Sequence, residues 1–169
     1  MRDYIIMTDS CCDLSQQEVE ELELTVLPLS FTIEGKTLLN TPDHADMSPE
    51  EFFAKIAAGA DCTTAAANVG QFTDAMEKVL QEGKDILCVC FSSALSTTYQ
   101  SACIAAEDLR EKYPEAKILV IDSLSASRGQ GMLLYRAVRE RREKNLSIDE
   151  LDAYVRSIIQ SQCHWFIVD

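Results

Sequence analysis

What constrains this chain most is a regular alternation of short apolar runs with longer amphipathic segments. Tyr4-Ile5-Ile6-Met7, Leu24 to Phe31, Asp85-Ile86-Leu87-Cys88-Val89-Cys90-Phe91 and Lys117-Ile118-Leu119-Val120-Ile121 all have strand length and are apolar almost throughout. A strand buried on both faces reads this way, and such strands belong to parallel sheets covered by helices. Helix signals lie between them. Ser15 and Glu18 have capping-box spacing ahead of Val19 and Leu22, and Ser48-Pro49-Glu50-Glu51 places proline at the first helical position. A further segment carries Phe72, Met76, Val79 and Leu80 on one face, and another helix runs to Lys112. Two more helices are expected over 127–144 and 147–160, the second opened by Ser147 with Glu150. The pattern predicts an α/β fold with a mostly parallel sheet flanked by helices. Thr32 to Leu38, with Glu34-Gly35 near its turn, adds a small hairpin insertion, followed by a polar loop from Asn40 to Met47.

Residues 1–161 read as one N-terminal α/β domain. His164-Trp165-Phe166-Ile167-Val168-Asp169 reads as a new apolar strand with nothing after it to pair with. We therefore expect 162–169 to be the first strand of a second, ligand-covering domain that is missing from this chain, and the chain to be a truncated form.

At 169 residues there is room for one sizeable core, and 47% apolar with 25% charged residues excludes bulk disorder. Asp and Glu outnumber Lys and Arg by 28 to 15, giving a net charge of −13. That field repels phosphate backbones and anionic lipid, so nucleic acid is not an expected partner. It leaves room for one small anion in a local pocket. The apolar run near the N-terminus is too short for a signal peptide or for membrane insertion. Seven irregularly spaced cysteines form neither a secreted disulfide framework nor a C-x-x-C pair for zinc, so a cytoplasmic setting is expected.

Hydroxyl and carboxylate residues recur where the apolar runs end: Thr8-Asp9-Ser10, Thr63-Thr64, Ser92-Ser93 with Ser96-Thr97-Thr98, and Asp122-Ser123. The carboxyl ends of parallel strands share one edge, where α/β proteins bind ligands. Ser92 to Thr98 joins a buried strand to a helix, so backbone amides and hydroxyls are expected to converge there on a carboxylate or phosphate. Helix capping by the same residues is the competing reading. Proton-transfer groups are few, since neither His44, in an acidic loop, nor His164 has a nucleophile beside it. Asp9 and Asp122 read either as Mg²⁺ ligands or as loop and cap acceptors. Cys88 and Cys90 read as apolar filler, and Cys11-Cys12 as a reactive thiol pair or an accidental one. Gly129 and Gly131 fit phosphate binding and close helix packing equally.

Four stretches carry a family resemblance in their order and spacing. They are Ile6-Met7-Thr8-Asp9-Ser10 with Asp13-Leu14, Val26-Leu27-Pro28-Leu29, Ser92-Ser93-Ala94-Leu95-Ser96-Thr97-Thr98-Tyr99-Gln100-Ser101-Ala102, and Ile121-Asp122-Ser123. Together they resemble the DegV family, two-domain α/β proteins that bind one long-chain fatty acid. Members with a known role present its carboxylate to a separate fatty-acid kinase. The resemblance implies a carrier rather than an enzyme, with no cofactor or metal. It implies a carboxylate held by Ser/Thr hydroxyls and backbone amides at Thr64, Ser92, Ser93 and Ser96, with Thr98, Ser10 and Asn68 completing the candidate ligand-binding set. Three departures stand out. Thr64-Ala65-Ala66-Ala67-Asn68 replaces the family's usual Thr-Ser-Gln-Pro-Ser, and Thr97 stands where glycine is usual. The family's later part, with a Gly-Gly-Arg motif and a histidine near the carboxylate, is not in this sequence. Two other readings stay open: a phosphate-handling enzyme using Asp9, Asp122 and a metal, and a protein-interaction module that has lost its ligand.

Overall fold

The computed structural model describes residues 2–165. In chain order the elements are β1 (Tyr4–Asp9), a single 3₁₀ turn (Ser10–Cys12), α1 (Gln16–Glu21), β2 (Leu24–Leu27), β3 (Leu29–Ile33), β4 (Lys36–Asn40) and α2 (Pro49–Ala57). They continue as β5 (Cys62–Ala65), α3 (Val69–Gln81), β6 (Asp85–Cys90), α4 (Thr98–Lys112), β7 (Ile118–Asp122), α5 (Ser127–Lys144) and α6 (Ile148–Ile159).

The main sheet has the order β2-β1-β6-β7, all parallel. β1, β6 and β7 are buried on both sides, as their composition predicts, whereas the edge strand β2 leaves Thr25 exposed. Leu87 and Val89 of β6 face a cluster with Leu133, Leu134 and Leu151, drawn from α5 and α6. Ile86, Cys88 and Cys90 face Phe72, Met76 and Leu109 of α3 and α4. Because β2 and β6 flank β1 on opposite sides, chain direction across the sheet reverses at β1/β6. That reversal opens a crevice above the carboxyl ends of these two strands. The helix starts follow the sequence signals. Ser15 and Ser147 build capping boxes with Glu18 and Glu150, and Pro49 opens α2.

Two expectations are corrected. Leu24 to Phe31 is not one strand; it divides at Pro28, which has no N–H to continue a ladder. β2 ends the parallel sheet, and β3 starts a separate antiparallel sheet of order β4-β3-β5. The β3–β4 hairpin is as expected, with Glu34 and Gly35 both at positive φ (50° and 76°), as a tight two-residue hairpin turn requires. Thr63 and Thr64 do not follow a parallel strand. They lie inside β5, where Thr64 is the antiparallel partner of Phe31. The small sheet meets the carboxyl end of β1 where Leu29 and Asn40 donate to Ser10, and Thr64 and α2 line a cavity together with Ser10 and Ser96.

Beyond α6, residues 162–165 have no regular structure, and Trp165 is exposed. The expected strand from His164 onward falls mostly on 166–169, outside the described residues. The Gln162 side chain donates to the Gly129 carbonyl. A Cβ at Gly129 would stand 2.9 Å from the His164 ring, and one at Gly131 would stand 2.8 Å from the Cys12 carbonyl oxygen. Both glycines therefore serve close packing. Among the described residues, no helix is long and apolar enough to cross a membrane.

Candidate functional site

The strand-end carboxylates act as staples. Asp9 is fully buried; its Oδ1 accepts the Cys11 amide at 3.1 Å and its Oδ2 the Phe91 amide at 2.7 Å. Burial pushes its carboxyl above the usual carboxylate range, and those two amides work against the shift. Asp122 Oδ1 accepts the amides of Ser93 (3.1 Å) and Leu124 (3.0 Å), joining the loops after β6 and β7. Of the two readings for these aspartates, the contacts are those of loop acceptors. Among the described residues, no group of three His, Cys, Asp or Glu is placed to hold a metal. Burial raises the Cys12 thiol to about 11 and Cys11 further still, which leaves neither a ready thiolate.

The loop from Ser92 to Thr98 is largely self-satisfied, contrary to the expectation that its amides converge on a ligand. The Ser92 amide bonds the Ser125 carbonyl, and the Ser92 carbonyl accepts from Leu95 and Ser96. Ser92 Oγ accepts from Ala94, while Ser96 Oγ accepts the Thr98 amide and pairs with Thr98 Oγ1 at 2.9 Å. Ser92 and Thr98 are buried organisers of the turn. Ser93 is half-buried, and its hydroxyl has no partner among the described residues. Asn68 is the N-cap of α3, where it exchanges bonds with Gln71.

A cavity of ≈ 740 Å³ opens at the switch point, beneath the small sheet and α2. It gathers Ser10, Thr64 and Ser96 from the candidate set, while Ser92, Ser93, Thr98 and Asn68 are outside its lining. Ser10 Oγ accepts from the Leu29 amide (3.0 Å) and from Asn40 Nδ2 (3.3 Å). With both lone pairs in use, its single O–H is what remains for a ligand. Much of the remaining lining is apolar: Leu29, Phe31, Met47, Phe52, Phe53 and Leu95. Phe31–Phe52 and Phe52–Phe53 meet edge to face, each with ring centroids 5.4 Å apart.

Two polar lining residues lie outside the ligand-binding set expected from sequence: His44, weighed there only as a proton-transfer group, and Arg128. Arg128 follows the β7 loop, so its place on the ligand edge was available from the parallel-strand pattern. His44 reaches the cavity only because the β3–β4 insertion folds over that edge, which no local pattern announces. Arg128 Nη1 donates to Glu18 Oε1 at 2.7 Å. This bond, with those from Ser15, holds the Glu18 carboxyl down at about 2.

Fold and site together define an α/β domain with an apolar, hydroxyl-edged cavity over the switch point of its parallel sheet. The chain belongs to the DegV family: the model described as "Uncharacterised protein, DegV family" matches residues 4–169. A DegV domain-containing protein of Clostridium perfringens is 37% identical over 169 residues, covering all of this chain and 57% of that protein. Among solved structures, a stearic acid-binding protein from Eubacterium ventriosum has TM-score 0.81 and 27% identity, over 90% of this chain and 52% of its own. A fatty-acid-binding DegV family protein from Thermus thermophilus has TM-score 0.80 and 29% identity, over 95% and 54%. The chain thus spans little more than half the length of these relatives.

Proposed function

We propose that the complete protein carrying this chain binds one long-chain fatty acid and presents its carboxylate to a separate fatty-acid kinase in the cytoplasm. The observation that carries this reading is a cavity whose lining combines the Ser10, Thr64 and Ser96 hydroxyls with the Phe31, Phe52 and Phe53 rings. Such a combination suits an amphiphile with a small polar head. The ligands named for the Eubacterium and Thermus structures support the same class. Ser93, whose hydroxyl is uncommitted next to the cavity loop, joins the head-group set. A second domain, beginning within 162–169, covers the acyl chain. In this reading the protein acts as a carrier, with the Ser10, Thr64 and Ser96 hydroxyls as donors to the carboxylate.

Solvent extraction of the purified complete protein followed by mass spectrometry tests the reading. One long-chain fatty acid per polypeptide is expected. A phosphorylated metabolite in its place, or no bound amphiphile even after incubation with palmitate, would overturn it.

A further inference from the structure

We propose that Arg128 is the charge-selecting residue of this cavity, a guanidinium parked on Glu18 that turns to the anionic head of the ligand. The inference rests on the amphiphile reading above. Hydroxyls such as Ser10, Thr64 and Ser96 donate to a carboxylate, an alcohol or an amide, most strongly to the carboxylate, but they carry no net charge to set against the field of an acidic chain. Among the described lining residues, Arg128 is the only Lys or Arg, and Asp13 lines the same cavity. In a chain of net charge −13, an incoming carboxylate meets repulsion that a local cation helps to offset.

The geometry fits a competition between Glu18 and the ligand. Glu18 Oε2 is held by the amide and the hydroxyl of Ser15, both at 2.8 Å, so the capping box of α1 fixes the carboxylate in place. Arg128 is the less constrained partner. Its side chain is 62% exposed, and Nη1 is the one donor of its five-donor fork that is engaged among the described residues. A ligand carboxylate can therefore share the guanidinium or draw it away. Glu18 lowers affinity for an anion, and Arg128 raises it.

The test uses the complete protein, with Kd for palmitate and for 1-hexadecanol measured by displacement of Nile red, a neutral dye. Arg128→Gln is expected to weaken palmitate about fivefold, the scale of an exposed charge pair, and to leave hexadecanol unchanged. Glu18→Gln, which keeps a side chain suited to the capping box, is expected to tighten palmitate binding severalfold. Arg128→Lys retains most of the preference for the acid, and added salt reduces that preference in the wild type. Equal changes for both ligands in Arg128→Gln and Arg128→Lys, no change for either, or weaker palmitate binding in Glu18→Gln would overturn the proposal while palmitate binding by the wild type stands. If the wild type binds neither compound, the amphiphile reading fails and this inference falls with it.

Discussion

Asp9 Oδ2 lies 2.7 Å from the backbone nitrogen of Phe91, so the side chain that closes β1 also pins the chain as it leaves β6. Its other oxygen holds the 3₁₀ turn through Cys11. The crevice floor is thus set by one buried carboxylate that receives an amide on each oxygen.

Asp9→Asn would place an NH₂ against one of those amides. We expect a loss of about 1–3 kcal/mol in urea unfolding, the cost of a buried group left without its partner. The pH dependence has a definite sign. Burial raises the folded-state pKa of Asp9, so its contribution is complete below the unfolded value of about 3.9. It is lost as pH rises through the raised folded value. The stability gap between wild type and Asp9→Asn should therefore narrow as pH rises from about 4. Millimolar Mg²⁺ should leave the wild-type midpoint where it is. A rise with Mg²⁺ that Asp9→Asn abolishes would restore the metal reading.

Thr64 is exposed on β5, and the Ser93 hydroxyl has no partner among the described residues, so truncating either should leave stability within about 0.5 kcal/mol. Each is expected to weaken acyl binding by the complete protein about tenfold or more, the worth of a hydrogen bond to a charged group. Ser10→Ala should lose both affinity and stability, because the Leu29 amide and Asn40 lose their acceptor. Unchanged palmitate affinity in both Thr64→Ala and Ser93→Ala would move the carboxylate elsewhere.

Much of the scaffold was legible in the sequence because its signals are local. Apolar strands, the serine caps at 15 and 147, and Glu34-Gly35 each act within a few residues. The site was less legible because it depends on how distant segments meet. Nothing near Thr64 reveals that β5 pairs with Phe31, and Pro28 marks a break without showing that β3 joins another sheet. Serines 92 to 96 carried a capping and a ligand reading at once, and only the bonds distinguish them residue by residue. The place of Arg128 at the ligand edge followed from the strand pattern, but nothing local showed that its side chain would line the cavity.

Glu18 should titrate far below an ordinary glutamate, near 2, chiefly because Arg128 donates to it. Since its folded pKa is depressed, the stability it contributes is present above its unfolded value of about 4.3. That contribution is lost as pH falls toward 2. Following the Glu18 side-chain carboxyl carbon by NMR gives this midpoint directly. In Arg128→Gln the midpoint should move up toward the ordinary value, and a midpoint that stays put would assign the shift to Ser15 instead.

Gly131→Ala should destabilise the fold without touching ligand chemistry. The new methyl would stand 2.8 Å from a backbone carbonyl at Cys12, and backbone yields less readily than a side-chain tip. A cost of about 1–3 kcal/mol is expected from thermal unfolding. Gly129→Ala meets only the His164 ring and should cost less. Equal costs would mean that the C-terminal segment is held as firmly as the 3₁₀ turn.

The 169-residue chain expressed by itself should hold fatty acid weakly or not at all. A sixteen-carbon acid has about 14 methylenes, worth about 11 kcal/mol if all are buried at ~0.8 kcal/mol each. This cavity cannot collect that much, because two of its apolar lining residues, Phe53 and Leu95, remain 66% and 60% exposed. A tail lying against them keeps one side in water until another surface covers it. Native mass spectrometry after gentle purification reads the outcome. The chain alone should appear without an acyl adduct, and the complete protein should retain one. A stoichiometric acyl chain on the 169 residues alone would mean that they enclose the tail themselves, by folding the Phe52–Phe53 face of α2 down over it.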